Sequence, residues 1–239
     1  LYLDIFSKKK RSPLYGAQYL HRPIPFVTDE DSITVTYTLR GSSDDYRRKV
    51  YGRMWTGTVS PEDLIGEHTA WDIRTTYKRL WDAYAPAVKD STIEPASIGP
   101  LLEAYDLVIN SIPRPQLCTR EHHFGATVIT AAGDAPELGI RLSNLGYRCP
   151  ENMVVCNGEE APQWYRMSNV FGHMTIEWPD DDVPVKSASR VRKPTDTNCD
   201  CWPAVMHVGR YGSWSKGVLS HTAYFDTLDA VSQRLANAS

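Results

Sequence analysis

Residues 33–39, ITVTYTL, alternate without a break, with Ile33, Val35, Tyr37 and Leu39 on one side and three threonines on the other. Successive strand side chains point to opposite faces, so this stretch predicts a half-buried antiparallel strand. In SSDDYRRKVYG, 42–52, a capping serine, Asp44 and Asp45 in the first turn and Gly52 past the end predict a short helix. The strongest helical period runs over 70–87, where Ile73, Tyr77, Leu80, Trp81 and Tyr84 line one face and Pro86 ends it. LYLDIF, 1–6, and STIEP, 91–95, read as short strands, and ASIGPLLEAY, 96–105, as a short helix. DLVINSI, 106–112, is the near-continuous apolar run of a strand covered on both faces. From 124 to 178 short strands follow, ATVITA, NMVVC and HMTIEW, separated by Gly, Pro, Asn and Asp. Residues 179–200 read as a long polar connection and AVMHVGR, 204–210, as a buried strand. A last helix, about 221–237, carries the apolar stripe Tyr224, Leu228, Val231 and Leu235, with Ser220 as its N-cap.

This order predicts an α/β protein: a Rossmann-like parallel sheet with a smaller antiparallel-sheet subdomain. The parallel part takes 1–32, 88–123 and 204–239; the antiparallel and helical part takes 33–87 and 124–203. The 239 residues, 41% hydrophobic and 23% charged, are enough for a substantial core. A net charge of −3 gives no global pull toward nucleic acid or anionic membrane, so neither is an expected partner. The run Lys8–Lys9–Lys10–Arg11 is local and reads first as a solvated turn. The chain holds no apolar run of 18 residues and no visible signal peptide. Five cysteines at uneven spacing fit a reducing compartment, so a cytoplasmic location is expected. The first residue lies inside a strand-like run, which predicts further residues upstream.

Chemistry concentrates in three places. In HVGRYGSWSKGVLSHTAYFDTL, 207–228, a strand runs into Gly209 and Arg210, and a loop with Gly212 and Gly217 feeds a helix. Such a loop lets backbone approach a planar or phosphorylated ligand, and the helix N-terminus favours an anion; an ordinary strand-turn-helix explains the same spacing. Trp164, Tyr165 and Arg166 are candidates to stack on and pair with a nucleotide or sugar phosphate; aromatic core residues beside a surface arginine are the alternative. Cys149-x6-Cys156 and Cys199-x-Cys201 offer four thiolates for zinc, an iron–sulfur cluster or a redox pair, with His122, His123 and His207 as further candidates. Neither spacing is a standard metal motif, and incidental buried cysteines are the plainer reading. No G-x-S-x-G, P-loop or H-E-x-x-H supports a hydrolase or NTPase.

GRYGSWSKGVLSH, 209–221, resembles the C-terminal flavin-binding segment of the FAD-dependent superfamily of UDP-galactopyranose mutases and amine oxidases. YGAQYLH, 15–21, is similar to the mutases' YGPHIFH loop, with His21 at the second histidine and Gln18 where the family has its first. YDLVINSIPRP, 105–115, is similar to the superfamily strand that ends in a Pro turn near the cofactor. The chain looks most like compact flavin-oxidoreductase-like proteins of bacteriophages. The three pieces together hold 31 of the 239 residues. The resemblance implies an FAD-dependent oxidoreductase or mutase-like enzyme acting on a small or nucleotide-linked substrate, with NAD(P)H as a candidate electron donor. It implies Tyr15, Gly16 and Gln18 against the flavin ring, Gly209, Arg210, Gly217, Val218 and Leu219 on the flavin or its phosphates, His21 as the first candidate for proton transfer, and Trp164 and Arg166 as substrate contacts. The chain contains no G-x-G-x-x-G, the fingerprint that cradles the pyrophosphate in this superfamily. Two alternatives stand beside this reading. One is a degenerate, non-enzymatic binding module of the same fold, using Lys8–Arg11 and aromatic loops; the other is a zinc-stabilised binding domain.

Overall fold

The computed structural model describes residues 18–53, 56–134, 141–179, 183, 185 and 188–238. The expected strand 1–6 and the cluster Lys8–Arg11 lie outside the described residues, as do Tyr15 and Gly16. In chain order the strands and helices are β1 (Tyr19–Leu20), β2 (Ser32–Arg40), α1 (Ser43–Tyr51), β3 (Gly66–Asp72), α2 (Ile73–Tyr84), α3 (Ile98–Ala104), β4 (Val108–Asn110) and α4 (Arg114–Leu117). There follow β5 (Phe124–Gly133), β6 (Met153–Asn157), β7 (Arg166–Val170), β8 (His173–Trp178), β9 (Ser189–Thr197), β10 (Val205–His207), α5 (Gly209–Gly212) and α6 (Ser220–Ala238).

The chain is mixed α/β. An eight-stranded sheet runs in the order β1-β3-β2-β6-β7-β8-β5-β9, and β4 and β10 form a separate two-stranded parallel sheet. In the large sheet β2 and β6 are parallel, with Thr36 opposite Met153 and Arg40 opposite Asn157. The pairs β1/β3, β2/β3, β6/β7, β7/β8 and β5/β8 are antiparallel. The described residues divide into two compact units, 18–79 with 127–193 and 80–126 with 194–238. The units part at 79/80, 126/127 and 193/194, inside α2, β5 and β9. Residues 18–32, read as part of the parallel region, group with the large sheet.

In the large-sheet unit both faces of β6–β8 are buried. Val154, Cys156 and Tyr165 face one core with Val35, Tyr46, Val50 and Ile129. Val155, Met167 and Ile176 face another with Trp164, Trp178 and Cys149. Neighbouring residues of β6 thus serve opposite layers, as a period of two requires. In the small-sheet unit Ile98, Leu117 and Val205 form one core, flanked by Ile93, Leu102, Val108, Ile112 and Trp202, and Val208 and Trp214 are buried as well.

Several predicted elements change. The helix expected from 70 begins at Ile73, because Asp72 ends β3 and caps α2, its carboxylate accepting from the Arg74 and Thr75 amides at 2.9 and 3.3 Å. Residues 91–95 do not form a strand; Glu94 and Ser97 close a turn instead, with Ser97 N–H donating to the Glu94 carbonyl and Ser97 Oγ accepting from Glu94 N–H. The polar connection 179–200 contains β9, an end strand whose Pro194 costs no inner ladder bond. On α6, Leu228, Val231 and Leu235 are exposed.

Candidate functional site

The small sheet sets the two strand ends Asn110 and His207 side by side in parallel register. Asn110 fastens this end. Its Oδ1 accepts from Ile112 N–H at 2.8 Å and its Nδ2 donates to the Ile112 carbonyl and to His207 Nδ1, at 3.1 and 3.0 Å. Val208 N–H adds a bond to the Asn110 carbonyl at 2.9 Å. Burial lowers the His207 pKa, favouring a neutral ring that accepts at Nδ1.

The loop beyond β10 needs its glycines for two different reasons. A Cβ on Gly212 would lie 2.3 Å from the Asn110 carbonyl oxygen, so α5 reaches the end of β4 only because residue 212 has no side chain. Gly209 and Gly217 have φ of +70° and +80°, where a Cβ would meet Ala223 at an ordinary 3.7 Å or nothing within 4 Å. These two are needed for backbone conformation, and the space above Gly217 is open. Trp214 pins the loop from below, buried and donating its Nε1–H to the Gly125 carbonyl at 2.9 Å. Ser215 N–H bonds the Arg210 carbonyl, and Lys216 N–H the Thr195 carbonyl. Val218 and Leu219 lead into α6, and Ala223 N–H donates to the Leu219 carbonyl. Leu219 therefore holds the capping position, and Ser220, predicted as the cap, is the first helical residue. The first amides of this long helix have no intrahelical acceptor and carry its positive end.

The remaining predicted contacts belong to the large-sheet unit. Gln18 is buried, and its side-chain amide Nε2 donates to Thr175 Oγ1 at 2.9 Å and the His173 carbonyl at 3.2 Å. His21 is exposed, with its ring 4.6 Å from Tyr19 and 6.4 Å from His68. Trp164 is buried, with the Arg40 guanidinium 5.8 Å from its ring centre. Arg166 is committed to a polar network within the fold: its Nη2 donates to Glu177 Oε1 at 2.5 Å. Lys193 Nζ donates to Glu177 Oε2 at 2.8 Å and to Tyr165 Oη at 2.9 Å, and the Tyr165 hydroxyl also donates to Glu177. Burial pushes the Glu177 carboxyl up, but Arg166 and Lys193 outweigh it and hold the group well below the usual carboxylate range. Glu177 reads from sequence only as a strand residue, and Lys193 only as part of a polar connection.

The cysteines group differently from the sequence pairing. Cys149 and Cys156 lie in the two separate cores of the large-sheet unit, and burial pushes both thiols up to about 11. They do not join Cys199 and Cys201, which meet Cys118 and His122. His123 instead pairs with Asp196 at 3.0 Å. The available signal was the spacing Cys118-x3-His122, one helical turn of separation within ligand range. No family model, curated protein or solved structure matches the chain.

Proposed function

We propose that the chain is a flavin-dependent oxidoreductase, or a mutase-like relative, acting on a small or nucleotide-linked substrate, with the β4/β10 pair as part of a Rossmann-like flavin-binding region. The observation that carries this reading is the path from the end of β10 through Gly209, Arg210 and Gly217 to the N-terminus of α6. In α/β sheets, ligands bind beyond the carboxyl ends of parallel strands, where loop amides and helix N-termini meet anionic groups. The residues present fit such a group: open space above Gly217, a rigid loop held by Trp214, and a cation at Arg210.

When bound, FAD would supply the hydride and electron chemistry. The amides around Gly217, Val218 and Leu219 would bind an anionic or electron-rich edge, and Arg210 would neutralise phosphate. His21, exposed and carrying a titratable ring, is the first candidate to hold or move a proton. NAD(P)H is the candidate reductant. The test is the visible spectrum of the purified chain before and after addition of FAD. A bound-flavin band, weakened in Gly217→Val, supports the reading. No band and no quenching of flavin fluorescence would overturn it.

A second reading, a non-enzymatic binding module of the same fold, is favoured by the exposed row Leu228, Val231 and Leu235 on α6.

A further inference from the structure

Three thiols and one imidazole converge in the small-sheet unit, from segments about eighty residues apart in sequence. Cys118 follows α4 and His122 precedes β5, while Cys199 and Cys201 follow β9. Their ligand atoms all lie within 4.8 Å of one another. Cys118 Sγ is 3.7 Å from Cys199 Sγ, 3.8 Å from Cys201 Sγ and 3.0 Å from His122 Nδ1. Cys201 Sγ is 3.9 Å from the same nitrogen. A tetrahedron with metal–sulfur bonds of about 2.3 Å has S···S edges of about 3.8 Å. The two recorded sulfur pairs match that edge.

The surroundings match as well. His122 Nε2 lies 2.9 Å from Asp200 Oδ1, so the carboxylate holds the proton on Nε2 and leaves the Nδ1 lone pair toward the sulfurs. This is the arrangement by which a carboxylate orients and strengthens a metal-bound imidazole. Asp200 is held in turn by Arg120 Nη2 at 2.7 Å. The two arms are tied beside the cluster: Trp202 Nε1–H donates to the Leu117 carbonyl at 2.8 Å, and Arg114 Nη2 to the Cys199 carbonyl at 2.6 Å. Thr119 Oγ1 lies 3.3 Å from Cys201 Sγ.

We propose that Cys118, His122, Cys199 and Cys201 form a four-ligand zinc site that fastens the α4–β5 segment to the β9–β10 segment. Thiolate and imidazole donors suit Zn²⁺, and four protein ligands close the shell, as in structural rather than catalytic sites. A disulfide would use two sulfurs and leave the third, with the Asp200-oriented imidazole, unexplained. The site stands independently of flavin binding.

The test is elemental analysis of the purified full chain, with Co²⁺ replacement as a second measurement. The expected result is one equivalent of zinc, and a cobalt form with thiolate charge-transfer and intense tetrahedral d–d bands. Cys118→Ser and Cys199→Ser should each lose the metal, and the paired control Cys149→Ser should keep it. Asp200→Asn should keep the metal with affinity weakened about 10–100-fold, read by competition with a chelator. Less than a tenth of an equivalent of zinc after reconstitution would overturn the site, as would unchanged cobalt spectra in both ligand variants. Iron with a cluster chromophore would replace zinc by iron–sulfur and equally overturn the assignment. If a ligand variant fails to fold, the wild-type cobalt spectrum alone decides, because it reports ligand type and geometry directly.

Discussion

In the large-sheet unit, β6–β8 are covered on both faces by apolar layers, and the charge buried at Glu177 is matched by Arg166 and Lys193. In the small-sheet unit, two three-residue strands pack with Ile98, Leu117 and Val205, and four potential ligand atoms, from Cys118, His122, Cys199 and Cys201, lie within 4.8 Å of one another. A two-stranded sheet is marginal in water by itself. Small units of this kind are commonly stapled by metal or disulfides. The same chain thus pairs two sources of order: apolar burial where both faces of β6–β8 are covered and, at the proposed zinc site, side-chain ligands in the unit with the two short strands. The glycine loop that carries the proposed flavin contacts belongs to the second kind of unit.

The largest effect is expected from removing the metal. Structural zinc contributes binding free energy on the order of 10 kcal/mol. Chelation should therefore split calorimetric unfolding into two transitions, the lower one belonging to the small-sheet unit. A single unshifted transition would erase the distinction between the units.

Next in size is Glu177→Ala, which leaves Arg166 and Lys193 facing each other without their carboxylate. Breaking such a buried pair costs about 3–5 kcal/mol. Urea unfolding should show that loss while zinc content stays at the wild-type value. The same carboxyl sets a pH dependence. Its folded pKa lies below the ordinary 4.5, so the unfolded chain binds the proton first as pH falls. Stability from Glu177 is fully present above that value and declines below it; Glu177→Gln should flatten the slope between about pH 5 and about pH 3.

Gly212→Ala should destabilise the small-sheet unit by about 1–3 kcal/mol, because the added Cβ meets a backbone carbonyl that cannot yield easily. Gly217→Ala should cost about 1–2 kcal/mol through its positive φ alone. The smallest effect is Ser42→Ala, about 1 kcal/mol, since Ser42 Oγ accepts from Asp45 N–H at 3.1 Å at the start of α1. Chemical denaturation of each variant checks the order.

Much of the local architecture was legible because local chemistry decides it. Ser42 and Gly52 bound α1 as read, and the alternation of 33–39 is β2, with Val35 fully buried. Where several forces compete, the reading failed. The strand tail 70–72 shares apolar spacing with the helix after it, and only the turn made by Asp72 separates them. β9 looks like a linker because Arg190, Arg192 and Pro194 suit a strand at a sheet end rather than its middle. The cluster was partly visible: Cys199, Cys201 and His122 stand out as ligand types, whereas Cys118, four residues before His122, meets the other two sulfurs only through tertiary contact.

The most direct test is hydrogen exchange on the full chain, followed peptide by peptide before and after chelation. The account predicts loss of protection in α3, β4 and β10, with β6, β7 and β8 unchanged. Equal protection with and without chelator in α3, β4 and β10 would contradict it, and so would a uniform loss that reaches β6–β8.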